Sequence, residues 1–122
     1  MYDGPVFRPI AEPLRLAALE LTELAELGDR LQGVLGNLTA HLGPVDPEFI
    51  TEAQAADLLS QRLVGMAAFL RAIARIAPEH VMADVTAAVM DLTLAEQARR
   101  LSGPHPPIES APVNGELQLF GD

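Results

Sequence analysis

The chain contains no cysteine, no tryptophan and no lysine, and a single tyrosine. Each absence excludes a class of chemistry. Without cysteine there is no disulfide framework, no thiolate metal site and no thiol nucleophile. Without lysine there is none to accompany a phosphorylatable histidine, as a phosphotransfer domain would require, and the eight Lys-or-Arg residues are all arginines. Aromatic residues make up only 4% of a chain that is 49% hydrophobic. The apolar content is mostly Leu and Ala, which favour helix, with few of the bulky residues that favour strands. No apolar run is long enough to span a bilayer. The segment Met1–Ile10 is punctuated by Pro5 and Pro9 and lacks the basic and apolar regions of a secretory leader, so a soluble, cytoplasmic protein is expected.

What is present is acidity. Seventeen carboxylates against eight arginines give a net charge of −9. That balance argues against nucleic acid and anionic membranes, which require basic surface. A protein partner with a basic patch is the natural expectation. At 122 residues the chain has room for one domain with a modest core.

The pattern along the chain predicts an all-α fold. Residues 1–12 read as an extended arm, because Pro5, Pro9 and Pro13 oppose a continuous helix. A helical bundle is expected over 13–102. Its first helix runs from Glu12 or Pro13 to Leu42, with a heptad seam of Leu14, Ala17, Leu21, Leu24, Gly28, Leu31, Leu35, Leu38 and Leu42. Leu16, Leu19, Leu27 and Val34 widen that seam, so this helix is expected to touch two neighbours. Asp46 caps a second helix, with Pro47 at its first position. That helix runs to Ala77 on a seam of Ala56, Leu59, Leu63, Met66, Leu70, Ile73 and Ala77. Pro78 breaks it, and a shorter third helix is expected from Glu79 to Leu101, closed by a Glu96–Arg100 ion pair. The doubled apolar face of the first helix favours an antiparallel hairpin that dimerises into a four-helix bundle. The alternative is a third helix that covers that face. Residues 103–115 form a Pro-rich linker. Residues 116–122, with Glu116, Leu117, Leu119 and Phe120, form an acidic-hydrophobic tail suited to docking.

The pair with the most chemical promise is Asp57 and Gln61. Four residues apart in a helix, a carboxylate and a carboxamide stack on one face. Stepping 100° per residue from the expected seam, both fall within about 30° of the opposite direction. Gln54, Val64, Gly65 and Ala68 share that outer face, with Ala72 and Arg75 further along. Most are small, so a partner backbone could approach closely. The remaining candidates read as structural. His41 closes the first helix, His80 opens the third, and His105 lies in the linker; none sits mid-helix as a phosphorylatable histidine would. Asp29 and Gln32 form a polar flank, Asp84 and Asp91 are solvated, and Met66, Met82 and Met90 fill core. Arg62, Arg71, Arg75, Arg99 and Arg100 are expected as surface ion partners. No paired spacing points to a metal site.

Asp57-Leu-Leu-Ser-Gln61 on a long bundle helix resembles the Asp-x-x-x-Gln motif of the CheZ-type chemotaxis phosphatases, and the chain's short length is similar to the CheT group of alphaproteobacterial chemotaxis. Their linker and terminal docking peptide are matched here by 103–115 and 116–122. The resemblance implies a phosphatase that hydrolyses the aspartyl phosphate of a CheY-like response regulator. It implies that Gln61 orients the attacking water and that Asp57 pairs with the regulator's active-site lysine. It places Mg2+ in the regulator's acidic pocket, so this chain need bind no cofactor of its own. A homodimer is the implied assembly. The other open reading is a non-catalytic acidic helical adaptor that binds a signalling partner through its bundle face and tail.

Overall fold

The computed structural model describes residues 4–43 and 46–103. The expected linker and the tail residues Glu116, Leu117, Leu119 and Phe120 lie outside them. The order of elements is β1 (Phe7–Pro9), α1 (Ala11–Ala40), α2 (Pro47–Ile76), β2 (Met82–Asp84), α3 (Val85–Val89) and α4 (Ala95–Ser102). The fold is mostly helical and is built on one long hairpin. Each arm has 30 residues, about 45 Å at the helical rise.

Local chemistry sets the ends of the hairpin arms. Past the last turn of α1, Gly43 has φ +98°, a left-handed conformation that side chains resist. Asp46 caps α2 by accepting from the Glu48 N–H at 2.9 Å, and Pro47 occupies its first turn. Pro78 ends α2 by pushing Ala77 into the extended region (ψ 137°).

The seam between α1 and α2 is made of small residues. Ala18 and Ala25 of α1 and Ser60, Ala67 and Ala74 of α2 are buried. Gly28 admits Ser60: a Cβ at Gly28 would stand 3.3 Å from the serine Oγ. Leu14, Leu21, Leu63 and Leu70 flank this row half-buried. The expected Leu-rich seam is therefore only half right. Leu24, Leu31, Leu38, Leu59 and Met66 are 40–59% exposed. Each stands one residue before or one turn beside the small residues that are buried. The physical reason is close approach: helices meeting through Ala, Gly and Ser sit nearer, and dispersion contacts strengthen with proximity. The seam of α2 turns by roughly 50° from the Leu-based expectation. Gln32, expected on a polar flank, is half-buried and donates from Nε2 to the Ala53 carbonyl at 3.2 Å. Met66, Met82 and Met90 are half-exposed and do not fill core.

The third helix is not continuous. Val81–Asp84 instead meets the N-terminal arm. β1 and β2 pair antiparallel, with Phe7 opposite Asp84 and Pro9 opposite Met82. Pro9 is tolerated because each strand is an edge. His80 thus lies in the turn ahead of a strand and does not open a helix. Asp84, expected to be solvated, is half-buried: its Oδ1 accepts from the Val6 N–H and caps α3 through the Ala87 N–H, both at 3.2 Å.

After α3 and a turn, α4 packs on α1. The contact is ionic. Arg100 donates to both oxygens of buried Glu20, at 2.7 and 2.8 Å, and Gln97 adds a bond at 3.3 Å. The expected Glu96–Arg100 pair is replaced, with Glu96 held by Arg99. Tertiary reach offers Arg100 a buried carboxylate, a stronger partner than an exposed one a turn away. The Arg100 guanidinium holds the Glu20 carboxyl below its ordinary range, against the opposing pull of burial. A depressed carboxylate pKa contributes stability above the unfolded value, and that stability is lost as pH falls through the folded value. Glu20→Gln is therefore expected to cost about 1–3 kcal/mol at pH 7. In urea titrations its deficit against wild type should shrink as pH drops below the unfolded glutamate range. A deficit independent of pH would refute the ionic account.

Because α4 covers only the base of α1, the same side of the hairpin is open nearer the tip. Leu24, Leu31 and Leu38 on α1 and Leu59 and Met66 on α2 occupy equivalent offsets from the seam. In antiparallel helices equal offsets fall on the same side, so these side chains form one exposed apolar face.

Candidate functional site

Asp57 and Gln61 lie in the middle of α2, both exposed. The Gln61 Nε2 donates to Asp57 Oδ2 at 2.9 Å. This bond fixes which end of the amide points where. A carboxylate only accepts, so the amide must turn its NH2 to Asp57. Oε1 is then the acceptor presented at the other end. The second carboxylate oxygen, Oδ1, keeps its capacity to accept from a cation. A neutral acceptor oxygen on one residue and an anionic oxygen on the other are suited to a water and a cationic donor respectively.

The correction to the seam also moves the pair. Asp57 and Gln61 stand about 100–140° from the true seam, on the flank of α2 rather than its far side. They fall on the side opposite the apolar face. Gln54, Val64, Gly65 and Ala68 surround them and are exposed. A Cβ built at Gly65 would meet nothing within 4 Å, so the surface there is open. Ala72 is half-buried and contributes less. Towards the hairpin tip, Phe49, Ile50, Ala53 and Gln54 form a shallow depression of about 430 Å³ that reaches Asp57. Phe49 and Ile50 were not among the expected site residues. Among the described residues, no three His, Cys, Asp or Glu side chains converge as a metal site.

Sequence reasoning placed Arg75 on this outer face but missed its neighbours Arg71 and Arg15. The row Asp57, Gln61, Val64, Ala68, Arg71, Arg75 alternates steps of four and three, so it is one stripe of α2. Its basic end faces Arg15 of α1, and Arg15, Arg71 and Arg75 line an open groove with Leu19 and Thr22. Arg71 donates to Thr22 Oγ1 at 3.5 Å. Arg62, Arg71 and Arg75, expected as ion partners, make no ion pair among the described residues, whereas Arg8, Arg99 and Arg100 do. The groove is lined from α1 by Arg15, Leu19 and Thr22, none of them a carboxylate. Continuing the stripe past Ala68 finds Arg71 in the sequence, whereas Arg15, on the other helix, is brought there only by the fold.

Residues 8–120 match the model of a family described as Domain of unknown function (DUF8776). The chain belongs to that family. No curated protein and no solved structure matches it.

Proposed function

We propose that this chain is a phosphatase for the aspartyl phosphate of a CheY-like response regulator, acting in chemotaxis signalling. The single observation that carries this reading is the hydrogen-bonded Asp57–Gln61 pair, exposed on a flank of small residues. An acyl phosphate is labile to water, and an accelerating protein need only place the water and help with charge. With its NH2 held by Asp57, Gln61 presents an oxygen that can accept from water and set it in line. Asp57 offers its free oxygen to the regulator's active-site lysine. Mg2+ belongs to the regulator's own pocket. Tail residues Glu116–Phe120 supply a second, tethering contact with the regulator.

The test is the decay of a phosphorylated receiver domain with and without this chain. Faster phosphate release supports the reading. Binding without faster release selects the adaptor instead.

A homodimer completes the proposal. The exposed Leu24, Leu27, Leu31, Val34, Leu38, Leu59 and Met66 are each 40–59% accessible. At roughly 90 Å² apiece they approach the ~800 Å² per partner of a standard interface. Two hairpins meeting on that face would bury it and leave both Asp57–Gln61 flanks outward. Leu31→Glu with Leu59→Glu should convert a dimer of twice the chain mass to a monomer in sedimentation, with helical content retained. Unchanged mass would place the interface elsewhere.

A further inference from the structure

The Arg15–Arg71–Arg75 groove stands out against the charge of the molecule. The chain carries seventeen carboxylates and eight arginines, yet three of those arginines line one groove and, like the scattered Arg30 and Arg62, make no ion pair among the described residues. Elsewhere the described arginines of the β1 and α4 regions are matched to glutamates at 2.7–2.8 Å. Convergent like charges repel, and a structural role would be served by neutral polar residues. A guanidinium fork is shaped for carboxylate or phosphate oxygens, and three of them around a Leu19 floor suit an acidic segment with an apolar side chain.

The groove also lies on the Asp57–Gln61 stripe. Ten to fourteen residues separate Gln61 from Arg71 and Arg75, about 15–21 Å along α2. A compact domain of about 100 residues is some 30 Å across. A protein seated on Gln61 would therefore reach the groove.

We propose that Arg15, Arg71 and Arg75 form an anion-binding groove for a carboxylate-bearing segment of the same protein that docks on Asp57 and Gln61. This inference rests on the phosphatase reading for the identity of that protein. The arginines bind and orient; they take no part in hydrolysis.

The experiment uses the full chain and a CheY-like receiver domain, loaded with beryllofluoride for binding and phosphorylated for release. Arg71→Glu with Arg75→Glu should raise the Kd by about 10-fold or more and flatten its dependence on salt, because fewer charge pairs are then screened. The neutral pair Arg71→Gln with Arg75→Gln should show a smaller loss. The release rate at saturation should stay within about twofold of wild type, since uniform binding is what is removed. Circular dichroism checks that both variants fold. Unchanged Kd and salt slope in both variants would overturn the groove. Arginine-dependent binding with no acceleration by wild type would uphold the groove and overturn the phosphatase. No binding by wild type overturns both.

Discussion

Replacing Gln61 with alanine is expected to reduce accelerated phosphate release by about 100-fold or more while leaving receiver-domain affinity nearly unchanged. The magnitude follows from positioning: losing the group that holds a nucleophile in line costs on the order of 10²-fold. Affinity is spared because Gln61 is one exposed side chain of the proposed contact surface, and the role proposed for it is confined to the reacting water. Asp57→Ala should behave differently. It removes the proposed lysine partner and also frees the Gln61 amide, whose orientation depends on the 2.9 Å bond to Asp57 Oδ2. Both affinity and rate should fall. Measuring KM and kcat separately for the two variants distinguishes these roles. Equal release rates for wild type and Gln61→Ala would remove the catalytic assignment.

Ala67→Leu is expected to be the most damaging single change to the fold. Ala67 is fully buried in the hairpin seam, opposite the small residues of α1. Three additional carbons there must force the helices apart along a 30-residue contact or leave their rotamers. Overpacking of this kind costs about 1–3 kcal/mol, a sizeable part of a typical stability of 5–15 kcal/mol. Thermal unfolding should shift down by on the order of 10 °C. The contrasting variant is Leu59→Ala, at a position 59% exposed. Measured where the protein is monomeric, it should change stability by about 0.5 kcal/mol or less. A Leu-based seam predicts the reverse order, with Leu59→Ala costing about 2–5 kcal/mol as a core truncation. The pair of measurements therefore decides which seam is occupied.

These two predictions also show which features the sequence carried. The helix boundaries were legible because their causes are local: Asp46 and Pro47 start α2, Pro78 stops it, and Gly43 follows α1. The Asp57–Gln61 contact was legible for the same reason, since four residues of helix bring any such pair together. Arg99 and Arg100 show the limit. Local spacing points Arg100 to Glu96, but the structure gives Arg100 to Glu20, eighty residues away, and leaves Glu96 to Arg99. The β1–β2 pairing has the same character. Nothing within Val81–Asp84 marks a strand until the N-terminal arm is laid beside it.

The sequence by itself determined two long helices, their ends, and an acid–amide pair on one of them. Those follow from propensity, caps and the 3.6-residue turn, which act over a few residues. Only the tertiary structure decided which of two overlapping heptads faces inward. Both the Leu row and the Ala, Gly and Ser row satisfy the period, and the choice depends on how closely two backbones can approach. That choice put the small residues inside and an apolar face on one side. It left Asp57, Gln61 and three arginines without an ion pair among the described residues on the other side, where contacts distant in sequence make a surface.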